Sequence, residues 1–159
     1  MTIAYIGIGS NLGDARAQVL QAFDDLARLP QTQLEGRSAL YRSAPLDAPG
    51  HADYVNAAAG VDTELSAAQL LAELQDIELR HGRERPYPNA PRTLDLDLLL
   101  YGDTSVASAM LTLPHPRMHQ RAFVLLPLLE LDPRLEVPGR GAARALLARC
   151  AAQRVVRMD

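Results

Sequence analysis

Lysine is missing from this sequence: every one of its 16 Lys-or-Arg positions is an arginine. That excludes Schiff-base chemistry on a lysine amine and the lysine of a P-loop. Phosphate handling, if present, falls to arginine, backbone amides and metal ions, and the planar guanidinium fork matches phosphate oxygens. Tryptophan is absent too, and the other aromatics are five Tyr and two Phe. The lone cysteine, Cys150, cannot close an internal disulfide, which fits a reducing compartment. In its Ala/Leu/Arg surroundings it reads as a small packed residue rather than a nucleophile. Long apolar runs are lacking: the richest, Ala122 to Leu131, is interrupted by Pro127 and is too short to span a bilayer. Met1-Thr2-Ile3-Ala4-Tyr5 has no basic region and no long apolar stretch, so a cytoplasmic protein is expected. With a net charge of −3 and no charged tail, nothing points to nucleic acid or an anionic membrane. His51, His81 and His119 lack metal-ligand spacing, which argues against zinc.

What is present reads as one domain over 1–159. Thr2 to Gly9 has the β-branched and aromatic content of a buried strand. Gly13-Asp14 offers a helix start with Asp14 as N-cap, and Val19, Leu20, Phe23, Leu26, Ala27 and Leu29 follow near helical spacing until Pro30. Gln33 to Arg42 alternates as a strand, and Ser43 to His51 is a turn-rich loop. Tyr54 to Asp62 is a further strand. Ser66 caps a second helix with Leu70, Leu71, Leu74, Ile77 and Leu79 or Ala67 on its apolar face. Gly82 to Pro91 holds three prolines and is irregular. Thr93 to Tyr101 is a strand, Arg117 or His119 through Leu131 a helix, and Gly141 to Val155 a terminal helix. The order β-α-β-β-α-β followed by extra helical material is that of a ferredoxin-like α+β fold. Such a fold has an antiparallel sheet with helices on one face and the other face open to a ligand.

Arg92-Thr93-Leu94-Asp95-Leu96-Asp97-Leu98 carries the most chemistry. Alternation along a strand puts Leu94, Leu96 and Leu98 on one face and Asp95 and Asp97 on the other. The two carboxylates then stand about 6.5 Å apart on a rigid element. Taken alone, the triplet fits a half-exposed strand with its polar side in water. With Arg83, Arg85 and Arg92 nearby, it becomes carboxylates for magnesium beside guanidinium groups for phosphate. Arg80 and Arg117 read as solvated charge, and Arg121 forms a second pair with Arg117. Tyr54 and Phe123 suit either core packing or a stacking slot for a flat heterocycle. Asn56 shares a strand face with Tyr54, and its amide can both donate and accept at a ring edge. His115, between two prolines, is equally a phosphate donor or a structural hydrogen-bonder. Gly7-Ile8-Gly9-Ser10-Asn11-Leu12-Gly13 lacks the full dinucleotide fingerprint and reads as a tight turn.

Together these segments resemble the 6-hydroxymethyl-7,8-dihydropterin pyrophosphokinase family. The resemblance rests on Ile8-Gly9-Ser10-Asn11-Leu12-Gly13, Tyr41-Arg42-Ser43-Ala44-Pro45-Leu46 and Asp53-Tyr54-Val55-Asn56-Ala57. It extends to Gly82-Arg83 through the Pro91-Arg92-Thr93-Leu94-Asp95-Leu96-Asp97 string, and then to Leu113-Pro114-His115-Pro116 and Arg121-Ala122-Phe123. It runs from Thr2 to about Pro133 in the right order. It implies a monomeric enzyme that moves the β,γ-pyrophosphoryl group of ATP to the pterin hydroxymethyl oxygen and releases AMP. By position, Asp95 and Asp97 would bind two magnesium ions, and Tyr54 and Phe123 would sandwich the pterin. Asn56 and the backbone of Ser43, Ala44, Pro45 and Leu46 would read the ring edge. Gln75 and Glu78 would lie near the nucleotide. Arg83, Arg92, His115 and Arg121 would meet the triphosphate, with Arg85 beside them. Leu98, Leu111 and Thr112 would meet the adenine. Three departures stand out: Pro86 where the well-known bacterial form has Lys, Pro88-Asn89-Ala90 where it has Trp, and a loop one residue shorter. A magnesium-dependent phosphoryl transferase for another acceptor, or a ligand-sensing module without chemistry, are the rival readings.

Overall fold

The computed structural model describes residues 1–44, 52–82 and 94–158. Strand β1 (Thr2–Ser10) is followed by α1 (Ala15–Ala27), β2 (Thr32–Arg37), β3 (Tyr41–Ser43), β4 (Tyr54–Thr63), α2 (Ala67–Arg80) and β5 (Asp95–Tyr101). A short hairpin comes next, β6 (Val106–Ala107) with β7 (Thr112–Leu113). A 3₁₀ turn at Met118–Gln120 leads into α3 (Ala122–Leu131). The chain ends with β8 (Glu136–Val137), β9 (Gly141–Ala142), α4 (Ala143–Ala148) and β10 (Val155–Arg157). The main sheet is antiparallel, ordered β10-β3-β4-β1-β5, with β2 also on β4.

Local chemistry sets the first two helices as expected. The Asp14 carboxylate accepts the Ala17 N–H at 3.1 Å and caps α1. Ser66 forms a reciprocal capping box with Gln69 at the start of α2. Val19, Phe23 and Leu26 of α1 and Leu70, Leu74 and Ile77 of α2 bury against Ala4, Ile6, Ile8, Leu96 and Leu98 of the sheet. Leu79 is 60% exposed, so Ala67 rather than Leu79 completes that helix's apolar face. The two helices are tied by His81, whose Nε2 lies 2.7 Å from Asp25 Oδ2 and whose Nδ1 contacts Gln18 Oε1.

Four expectations need correction. The strand expected over Gln33–Arg42 is two strands, because Ser38 replaces the ladder locally. Its N–H donates to Ala58 O and its Oγ accepts the Ala58 N–H, while Glu130 takes the Ala39 N–H. The helix expected from Arg117 or His119 starts only at Ala122, after an extended Arg121 (φ −124, ψ 107). The terminal helix expected over Gly141–Val155 is confined to Ala143–Ala148. Gly141, at φ +99, sits in the β8–β9 ribbon, and the β-branched Val155-Val156 pair joins the sheet beside β3. Last, the helices do not keep to one face. Leu125 and Leu128 of α3 and Leu146 of α4 form a second core with Ala58, Leu99 and Leu100 on the face opposite α1 and α2. Among the described residues, one end of that second face forms an open cleft.

Candidate active site

The open end is floored by the central strand. On β1, Gly9 stands opposite Asn56 of β4 on one side and Asp95 of β5 on the other, and Gly7 stands opposite Ala58 and Asp97. Opposed residues of an antiparallel pair share a face, so two carboxylates, an amide and two bare glycines form one surface. A Cβ on Gly7 would come within 3.3 Å of the Leu99 side chain, and one on Gly9 within 3.6 Å of Asn56 Oδ1. The tight-turn reading therefore holds for Gly13, at φ +60, but not for Gly7 and Gly9, which lie in the strand. These two glycines, with Ile8, Ala57 and Val124, line the cleft and were not singled out from the sequence. Two glycines at i and i+2 in a strand are the signal, since they leave one face of the backbone uncovered.

Around this floor one cleft is lined by Ser43, Ala44, Tyr54, Asn56, Arg121 and Phe123, together with Asp95 and Asp97. Asn56 is buried, and its amide nitrogen donates to Tyr41 O at 3.3 Å and to Ser43 Oγ at 2.8 Å. A backbone carbonyl can only accept, so the amide orientation is fixed and Oδ1 is the atom turned toward Gly9. Asn56 thus presents an acceptor to the cleft, rather than a donor and an acceptor together. The Arg121 guanidinium lies 5.5 Å from the centre of the Phe123 ring.

A second cleft lies beyond the edge strand β5, lined by Leu71, Leu98, Leu111, Thr112 and His115. Met110, 86% exposed, stands at its rim. Asp97 lines both clefts. A bulge in β5 pairs Leu98 with Ile6 and Leu100 with Tyr5, leaving Leu99 between them. The Leu99 carbonyl accepts the His115 N–H at 2.9 Å, which anchors the Pro114-His115-Pro116 corner against the strand. His115 Nδ1 accepts the Arg117 N–H at 3.2 Å, so the neutral ring carries its proton on Nε2. Burial pushes the His115 imidazole below its ordinary value, against the pull of Asp97 and with Arg121 and Arg117 adding to the lowering.

Of the other expected residues, Gln75 and Glu78 are described, and neither lines these clefts. Glu78 is buried; its Oε2 accepts the N–H of Leu96 at 2.9 Å, the residue between the two strand carboxylates. Gln75 is exposed on α2, one turn beyond Leu71. Pro45, Leu46, Arg83, Arg85 and Arg92 lie outside the described residues. Among the described residues no cluster of three or more His, Cys, Asp or Glu side chains could hold a metal. Two carboxylates on one strand face still fit magnesium, which binds through one or two carboxylates and completes its shell with water and phosphate oxygens. No described helix is long and apolar enough to cross a membrane.

Comparison with known proteins places this geometry in context. The chain matches the family model described as 7,8-dihydro-6-hydroxymethylpterin-pyrophosphokinase over residues 5–133. A Pseudomonas aeruginosa protein named 2-amino-4-hydroxy-6-hydroxymethyldihydropteridine pyrophosphokinase is 43% identical over 154 residues, covering 97% of this chain and 95% of that protein. A Haemophilus influenzae protein of the same name is 40% identical over 159 residues, covering 100% and 99%. Among solved structures, an HPPK-DHPS in complex with substrates superposes with a TM-score of 0.75 at 12% identity. It covers 93% of this chain, which spans only 43% of that longer one, and it speaks to the fold alone.

Proposed function

The chain belongs to the 7,8-dihydro-6-hydroxymethylpterin-pyrophosphokinase family, and from that premise we propose how its two clefts divide the reaction. The enzyme transfers pyrophosphate from ATP to the hydroxymethyl group of 6-hydroxymethyl-7,8-dihydropterin, a step of folate biosynthesis. The pterin occupies the cleft of Tyr54, Asn56 and Phe123, and ATP the cleft of Leu98, Leu111, Thr112 and His115. The observation that carries this reading is Asp97, which borders both. A group passing from one ligand to the other must cross at that residue.

Each side chain then has a physical task. Tyr54 and Phe123 supply flat apolar surface for the ring. Asn56 Oδ1 accepts from ring N–H groups, since its own hydrogens are already engaged. The bare backbone at Gly9 admits the ring close to the sheet, while the missing side chain of Gly7 makes room for Leu99. His115 donates from Nε2 as a neutral ring, and Arg121 offers a permanent cation at the junction. Glu78 holds the Leu96 amide and so fixes the spacing of Asp95 and Asp97. Asp95 and Asp97 would hold two magnesium ions, which when bound gather the phosphate oxygens and offset their charge. The hydroxymethyl oxygen forms its bond to the β-phosphorus as the bond to AMP breaks, and the alcohol proton is lost to solvent. Positioning supplies most of the rate. Arg83, Arg85 and Arg92 are assigned to the triphosphate by their place in the family's motif. The strand order, with β5 and β4 flanking β1, is read as ferredoxin-like, and the enzyme as a cytoplasmic, magnesium-dependent, single-domain monomer.

The test is a substrate panel: AMP formation from ATP with the dihydropterin, with other hydroxymethyl heterocycles and with no acceptor. AMP that appears with the dihydropterin and depends on magnesium is the expected result. AMP formed equally well with an unrelated alcohol would remove the pterin assignment.

A further inference from the structure

The chain beyond α4 braces both walls of the first cleft. On one side, the side-chain amide of Gln153 donates from Nε2 to Gln120 O at 2.8 Å and accepts the Ala122 N–H at Oε1, at 2.9 Å. These contacts fall on either side of Arg121. Arg121 is the N-cap of α3 but makes no side-chain cap bond, so the first amide of the helix takes its acceptor from Gln153 instead. With the peptides before and after Arg121 both held, its extended conformation and the departure direction of α3 are set together. Arg121 and Phe123, one residue into that helix, both face the cleft. On the other side, two residues past Gln153, Val155 pairs with Ser43, whose hydroxyl receives the Asn56 amide. A turn closed by the Gln153 N–H on Cys150 O ties this segment back to α4.

We propose that Gln153 is a positioning residue for the pterin cleft, setting the Arg121–Phe123 wall through the backbone on both sides of Arg121. It does not touch the substrate, and it acts through the wall it holds. This inference rests on the assignment of that cleft to the pterin.

Gln153→Met keeps the side-chain length and removes both hydrogen bonds. Gln153→Glu keeps the acceptor for Ala122 but sets a carboxylate against the Gln120 carbonyl. Dihydropterin affinity is measured by its fluorescence on the intact enzyme with magnesium and α,β-methylene-ATP, alongside steady-state kinetics and thermal unfolding. Gln153→Met is expected to weaken pterin binding by about three- to tenfold, as one or two neutral hydrogen bonds imply. The pterin KM should rise in step while kcat changes less, and Gln153→Glu should weaken binding at least as much. Two further variants separate the explanations. Asp25→Ala breaks the contact with His81 on the far side of the sheet, and is expected to lower the melting temperature without changing pterin affinity. Phe123→Ala tests the cleft itself. If Phe123→Ala loses affinity while Gln153→Met stays within twofold of wild type, the role of Gln153 is overturned and the cleft assignment stands. If Asp25→Ala weakens pterin binding as much as Gln153→Met, the effect is general instability and the proposal fails. If Phe123→Ala binds normally, the cleft assignment fails and takes the proposal with it.

Discussion

At the scale of single residues, the amide of Asn56 shows how a side chain's role is fixed by its neighbours. Its two hydrogens are committed to Tyr41 O and Ser43 Oγ, so only the acceptor remains for a ligand. Asn56→Leu, close in shape, removes that acceptor and strips Tyr41 O and Ser43 Oγ of their donor. We expect pterin affinity to fall by about tenfold or more, with the affinity for a magnesium–ATP analogue unchanged, checked by titrating each ligand separately. Tyr41 gives a prediction in pH. Burial and then the hydrogen bond to Glu130, opposed by Arg157, push its phenol up to about 12 from the ordinary 10.0. The unfolded chain loses this proton first, so the stabilisation is complete below pH 10 and is lost as pH rises toward 12. Urea unfolding across that window should show a falling free energy for wild type and a shallower fall for Tyr41→Phe. The carboxylates at 95 and 97 were legible because strand alternation is strict. The acceptor-only state of Asn56 was not, because its partners come from a strand 13 and 15 positions away in sequence.

At the scale of elements, short-range signals predicted best. Asp14 and Ser66 cap their helices as read, because a cap involves only the next three residues. Ser66→Ala should cost about 1 kcal/mol and lower the melting temperature by roughly 2–4 °C, measured by calorimetry, with pterin affinity intact. Elements set by distant partners were harder to read. Ser38 divides a strand by pairing with Ala58, and nothing between Gln33 and Arg42 signals that pairing. The N–H of Ala122, the first residue of α3, is taken by Gln153 from 31 positions away. In the terminal segment, helix-favouring Ala, Leu and Arg hide the strand at Val155, which exists because β3 offers it an edge.

At the scale of the whole molecule, the order of strands and helices was legible because periodicity marks each one. The covering of the second face was not. Ala122 to Leu131 is apolar nearly all round, so no stripe told which surface it would meet. That covering is what turns an open sheet into a cleft: α3 and α4 close most of the face, and two glycines keep the rest low. The two clefts then meet over β5, with Asp97 common to both and Glu78 holding the strand from behind. The most direct test of this arrangement is AMP formation by Asp97→Asn with saturating ATP, dihydropterin and magnesium, compared with wild type. The account predicts a fall of about a hundredfold or more, because the proposed magnesium site at the crossing point loses a carboxylate charge, in a protein that melts as wild type does. Turnover within tenfold of wild type would contradict it.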